Sequence, residues 1–240
     1  MEVEWRRLAA AELNARAAAG ALAILPVAST EQHGPHLPTG VDAWLVAEVC
    51  RRAALRLAAA GAGGVVAPAL WVGLAEHHMA LGGSFTLRLA TYQALLFDLG
   101  RSIERAGFGR LLIVNGHGGN ITALNALSAE LTAGLGLAVA ITTYFELAAP
   151  AIAELLEDQP QVMHACEAET SMLLALHPEL VDETQLARAR GGPAVDRTVS
   201  VLAQPFHRWR SFQAISATGV VGDARRATAE KGQRLLEAAA

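Results

Sequence analysis

Lysine is nearly missing from this chain: Lys231 is the only one among 240 residues. A Schiff-base enzyme or a Walker-type phosphate loop each depends on a lysine, the latter directly after a glycine-rich turn, so neither is expected. Charge of any kind is scarce, at 18% of residues, and the net value of −4 leaves no basic footprint for nucleic acid or for an anionic membrane surface. Cysteine occurs only as Cys50 and Cys166, with no CxxC pair and no disulfide framework, which points to a reducing, cytoplasmic setting. An unbroken apolar run is also lacking. The longest uncharged stretch, residues 57–75, contains Gly61, Gly63, Gly64 and Pro68. A spanning helix needs about 20 consecutive apolar residues. The opening MEVEW is acidic where a signal peptide begins basic and then turns apolar. Neither Ser29 nor Ser171 lies in a G-x-S-x-G elbow, so a serine hydrolase is not expected.

What the chain does have is apolar content, 52% of residues, and eight histidines. That much apolar content excludes a disordered protein. Short apolar runs of strand length occur at residues 22–28, 65–67, 110–115 and 138–144. Between them lie helical stretches at about 42–60, 91–106 and 121–133. Further helices are expected near 148–157 and 165–176, then a polar loop over 182–197 and a last helix opening at Asp223 as N-cap. Strands alternating with helices of ~10–15 residues indicate βαβ units and a parallel sheet. No repeat or linker interrupts the pattern, so residues 1–240 are expected to form a single α/β domain.

In a parallel sheet, ligands collect beyond the carboxyl ends of the strands. After the first strand comes Ser29-Thr30-Glu31-Gln32-His33-Gly34-Pro35-His36-Leu37-Pro38, then Asp42. In extended chain Glu31 and His33 point to one side and can face one ion. Asp42 opens the next helix and either returns a carboxylate to that pocket or merely caps the helix. After the third strand comes Gly116-His117-Gly118-Gly119-Asn120, a histidine in a glycine cluster that lacks the spacing and lysine of a phosphate loop. Imidazole and carboxylate without thiolate suit zinc, manganese or iron.

These residues resemble the creatininase (creatinine amidohydrolase) family. The similarity extends to Glu76-His77-His78, Gly82–Thr86, His164-Ala165 with Glu169-Thr170-Ser171, Gly219–Asp223 and Arg226–Thr228, in order from about residue 22 to 232. The resemblance implies a three-layer α/β/α sandwich with a mainly parallel central sheet, one or two divalent ions per subunit, and hydrolysis of a cyclic or linear amide. Carried over, it places Glu31, His33, Asp42 and His117 as metal ligands, with Asp42 bridging and Glu169 as a fifth ligand. It makes His164 the acid–base group, with His36 the second choice for that role. Glu76, His77, His78, Gly118 and Gly119 are expected to line the substrate pocket. The partners implied are a small-molecule amide and further copies of the chain, a hexamer among the assemblies.

Gly119 departs from the creatinine-hydrolysing pattern, which has a glutamate there, and Met163 stands where a tryptophan is common. The GHGGN form is shared with formamidopyrimidine deformylases and the mycofactocin precursor peptidase. Two other classes fit the same residues: a mononuclear iron oxidoreductase using two histidines and a carboxylate, and a homologue that kept the fold without turnover. His177 and His207 receive no catalytic role.

Overall fold

The computed structural model describes residues 1–157, 159–192 and 209–240. Four strands form the central sheet: β1 (Leu22–Val27), β2 (Gly64–Val66), β3 (Arg110–Asn115) and β4 (Ala138–Thr143). All pairings are parallel and the order is β2-β1-β3-β4. β1 and β3 occupy the middle and are apolar nearly throughout, as strands covered on both faces must be. A two-stranded antiparallel ribbon, β5 (Arg190–Gly191) with β6 (Gly222–Asp223), lies apart from this sheet.

Side-chain alternation along the strands divides the core in two. Ile24 and Ala28 point to one face, where they pack with α2 (Val41–Ala59), α7 (Glu167–Leu176) and α8 (Ala229–Ala239). Ala23, Leu25 and Val27 point to the other, against α1 (Ala10–Ala18), α3 (Leu89–Arg105) and α4 (Ile121–Gly134). Leu45, Leu173, Leu96 and Leu131 are almost wholly buried, and each such side chain contributes about 1.5–3 kcal/mol. This is the expected three-layer α/β/α arrangement.

Three local expectations shift. The stretch near 148–157 is helical only over α6 (Ala149–Ala153), which directly follows a separate short helix, α5 (Tyr144–Leu147). The last helix starts at Ala229, not after Asp223, because the Thr228 hydroxyl accepts the Lys231 N–H and supplies the cap. Asp223 instead lies in β6 and binds the Arg225 guanidinium. Asp42 does not cap α2: Gly40 holds the N-cap position, and among the described residues there is no side-chain cap bond. The carboxylate is therefore free for another task. His207 and the last part of the 182–197 loop lie outside the described residues.

The chain leaves β1, crosses to β2 on one side, and then places β3 on the other. The carboxyl ends of β1 and β3 are therefore adjacent at a topological switch point, with Val27 paired to Asn115. The segments carrying Glu31 and His117 emerge there together.

Candidate metal centre

Two buried asparagines hold the loop after β3. Asn115 Nδ2 donates to the His117 carbonyl at 2.8 Å, and Asn115 Oδ1 accepts the His117 N–H at 3.1 Å. Asn120 Nδ2 donates to the Ala28 carbonyl at 3.3 Å while its Oδ1 accepts the Leu74 N–H at 3.0 Å. The loop is thus tied to β1 and to the segment before Glu76. The loop after β1 is bonded back on itself, with the Glu31 N–H on the Thr39 carbonyl at 3.0 Å. The first turn of α2 and the first turn of α7 bring in Asp42 and Glu169.

These elements gather Glu31, His33, Asp42, His117 and Glu169 into one cluster, every member no more than 5% exposed. Asp42 lies at its middle. Its Oδ1 is 3.2 Å from His33 Nε2, and its Oδ2 is 3.1 Å from His117 Nδ1. Glu31 Oε2 is 3.0 Å from His117 Nδ1, and Glu169 Oε1 is 3.9 Å from His33 Nε2. Backbone carbonyls decide which ring nitrogen faces inward. The Leu74 carbonyl takes His117 Nε2 at 3.2 Å, and the Glu31 carbonyl takes His33 Nδ1 at 3.0 Å. A carbonyl can only accept, so in each ring the opposite nitrogen is the one that gains a free lone pair toward the cluster when a cation displaces its proton.

Electrostatics agree with a site built for cations. Burial by itself would depress His33, but the Asp42 charge, with Glu169 and Glu31, outweighs it and lifts the ring to about 9. Burial likewise opposes the charge on His117, and Glu31 and Asp42 hold it well above its ordinary value. Burial pushes Glu169 up to about 7, His33 opposing and Asp42 adding to the rise. Burial also raises Glu31, whereas His33 and His117 overcome it at Asp42 and keep that carboxyl below its usual range. Three crowded carboxylates thus require positive charge among them. Glu31 Oε2, Asp42 Oδ2 and His33 Nε2 are buried and have no hydrogen-bond partner among the described residues, although each lies about 3 Å from a complementary atom. Approach without hydrogen-bond alignment is what ligand atoms show when they aim at a common ion. The donor set fits a divalent metal: Glu31, Asp42 and His117 form one candidate group, and His33 and Glu169 belong to another with His164.

His164 lies against the cluster, its Nδ1 3.5 Å from Glu31 Oε1 and its Nε2 donating to the Gln32 carbonyl at 2.7 Å. Burial and the neighbouring His33 hold it well below its ordinary value, so Nδ1 is bare. Its neighbour Ala165 adopts φ 51, a backbone strain beside the cluster. His36 is turned away onto α7, its Nε2 2.8 Å from Thr170 Oγ1, and burial lowers it to about 4. His78 is buried with its Nε2 3.2 Å from Glu31 Oε1, closer to the cluster than a pocket residue need be. His77 is half-buried and stacks on His117, with centroids 5.6 Å apart. Glu76 is exposed at the start of a short 3-10 helix, Glu76–Leu81. Gly118 faces open space, whereas a Cβ on Gly119 would collide with His117 Nε2 and the Leu74 carbonyl.

Three participants were not singled out in the sequence. Phe212 packs on His78 at 4.3 Å and edge-on to His164 at 4.7 Å, an aromatic ring supplied from far along the chain. Tyr144 follows β4 and feels the charges of Glu169 and Asp42, which add to burial in raising its hydroxyl pKa. Gln32 joins His78 and His164. Tyr144 and Gln32 have a positional signal, each beyond the carboxyl end of a strand, whereas Phe212 has none.

A family model described as creatinine amidohydrolase matches residues 6–240. The chain belongs to the creatininase family. The mycofactocin precursor peptide peptidase of Mycolicibacterium smegmatis is 34% identical over 218 residues, 90% of this chain and 79% of that protein. The creatinine amidohydrolase of Pseudomonas putida is 30% identical, covering 98% and 90% of the two chains. A crystal structure of creatinine amidohydrolase superposes with a TM-score of 0.79 at 30% identity, covering 99% of this chain and 93% of that one. A creatininase mutant of Zn–Zn type and a creatininase described with Mn give TM-scores of 0.78 and 0.77. Like these amidohydrolases and peptidases, the creatininase-family chain is a hydrolase of C–N bonds.

Proposed function

We propose that the cluster around Asp42 binds two divalent ions and that the protein uses them to hydrolyse an amide in a small molecule or short peptide. The observation that carries this is Asp42 facing His33 through one carboxylate oxygen and His117 through the other. Glu31, Asp42 and His117 would hold one ion, and His33, Asp42 and Glu169 the other. Such ions, when bound, lower the pKa of water from about 15.7 toward 7 and polarise the amide carbonyl.

The protein's own groups do the rest. Carbonyls of Leu74 and Glu31 accept from the outer nitrogens of the two ligand imidazoles, so that a metal displacing the inner proton would meet a lone pair. His164 Nδ1, bare and beside Glu31, takes the proton released as water adds to the carbonyl carbon. It returns that proton to the leaving nitrogen as the C–N bond breaks, so the ring ends as it began. His36, neutral and bonded to Thr170, supports the loop against α7. His77, Phe212 and open Gly118 border the space left for substrate.

The mycobacterial relatives are named for action on a peptide, and Gly119 leaves no room for the glutamate of creatinine-hydrolysing relatives. Peptide and formamide substrates therefore come before creatinine. Self-association is supported by the exposed, edge-to-face Trp71–Phe85 pair. A cytoplasmic setting is supported by two buried free thiols, and among the described residues no helix is long and apolar enough to cross a membrane. Zinc- or manganese-loaded protein should hydrolyse members of a panel of formamides, lactams and short peptides, lose that activity to a chelator, and regain it with metal. Equal activity in metal-free protein would refute the proposal.

A further inference from the structure

Two histidines approach the same oxygen of Glu31. His78 Nε2 is 3.2 Å and His164 Nδ1 3.5 Å from Oε1. Both rings are held from behind by one residue, Gln32, which is 9% exposed. The orientation of its amide is settled by two backbone groups of fixed character. The Gly34 N–H can only donate, and it donates to Gln32 Oε1 at 3.0 Å. The Gly219 carbonyl can only accept, and it takes a hydrogen from Gln32 Nε2 at 3.2 Å. The second hydrogen of that Nε2 goes to His78 Nδ1 at 2.9 Å. The proton of neutral His78 is therefore on Nε2, facing Glu31.

His164 meets the opposite partner. Its Nε2 lies 2.7 Å from the Gln32 backbone carbonyl, so that nitrogen carries the hydrogen and Nδ1 is bare. Gln32 Nε2 is also 3.0 Å from His164 Nε2, but both its hydrogens are already committed. One residue thus presents a donor ring and an acceptor ring to a single carboxylate oxygen.

We propose that Gln32 is a positioning residue that gives His78 and His164 opposite proton placements: an N–H of His78 toward Glu31, a bare nitrogen of His164 beside it. Its consequence for catalysis rests on the metal-dependent reading above. An N–H of His78 placed 3.2 Å from Glu31 Oε1 turns its positive end toward that ligand carboxylate, and a bare Nδ1 lets His164 accept a proton. The assignment also explains Gly219, 187 residues away in sequence. It has φ +76, and a Cβ there would collide with the Gln32 amide. Only glycine lets the amide lie flat on that backbone while adopting a left-handed conformation.

The experiment is long-range 1H–15N correlation spectroscopy of histidine-labelled full-length protein, zinc-free and zinc-loaded, which reads which nitrogen of each ring carries hydrogen. In wild type both His78 and His164 should be protonated on Nε2. Gln32→Glu removes the donor, so the His78 proton moves to Nδ1 while His164 is unchanged. Zinc affinity should then fall by about 10–100-fold, the usual effect of losing a group that orients a ligand. Gln32→Met and Gly219→Ala, which withdraw or displace the same donor, should each loosen the His78 preference and cover failure of the first variant to fold. His78 protonated on Nδ1 in wild type, or unmoved in folded Gln32→Glu, overturns the proposal. The zinc-free spectra decide this whether or not metal binds. A wild-type chain that takes up no zinc refutes the metal-dependent reading instead.

Discussion

Asp42 is the residue on which both proposed ion positions depend, since each of its oxygens faces a different histidine. Asp42→Ala should abolish metal uptake in a folded protein, as measured by elemental analysis. His117→Ala should leave the His33 position occupied. Gly119→Glu should lose metal without gaining creatinine hydrolysis, because its Cβ strikes His117 Nε2 and the Leu74 carbonyl that orients that ring. Creatinine turnover by this variant would show that the loop adapts. At this scale the sequence exposed the ligand candidates well, because carboxylates and imidazoles at strand ends are chemically conspicuous. It hid the parts of Gln32, Phe212 and Asn120, which depend on contacts from segments distant in the chain. His78 shows the same limit: its place beside Glu31 follows from the turn at 76–81, which has no periodic signal.

Among the elements, α7 matters most for the site, because its first turn carries Glu169. The same turn carries Glu167, which is fully buried and bonded to Lys231 at the start of α8. The only lysine of the chain thus fastens these two helices together, assisted by Glu157 and the Arg226 carbonyl. Lys231→Met withdraws the ammonium from a buried carboxylate and should cost roughly 3–5 kcal/mol. Chemical denaturation should show that loss, and Glu167→Gln in the same chain should restore part of it. A loss below about 1 kcal/mol would place the pair with surface bridges, which are weak. The alternation of strands and helices was legible because buried parallel strands are continuous apolar runs. The start of α8 was misplaced because two residues, Asp223 and Thr228, both resemble caps, and only tertiary pairing with β5 separates them.

At the scale of the whole molecule, the buried charges make stability depend on pH and on metal. In metal-free protein His33 has its pKa raised from 6.5 to about 9. A raised folded value means that its contribution is fully present below about 6.5 and is lost as pH rises through about 9. Melting temperature should therefore fall across that window in metal-free wild type, and His33→Gln should flatten the fall. Bound metal, which takes the place of those protons, should suppress the fall as well. The sequence suggested the one-domain α/β/α layering, but not the β2-β1-β3-β4 order that sets the carboxyl ends of β1 and β3 side by side where the cluster forms. The most direct test of the central claim is a metal count by elemental analysis on zinc-reconstituted wild type and Asp42→Ala, each confirmed folded. Two ions per chain in wild type and none in Asp42→Ala are predicted; equal metal in both would contradict the shared-carboxylate site.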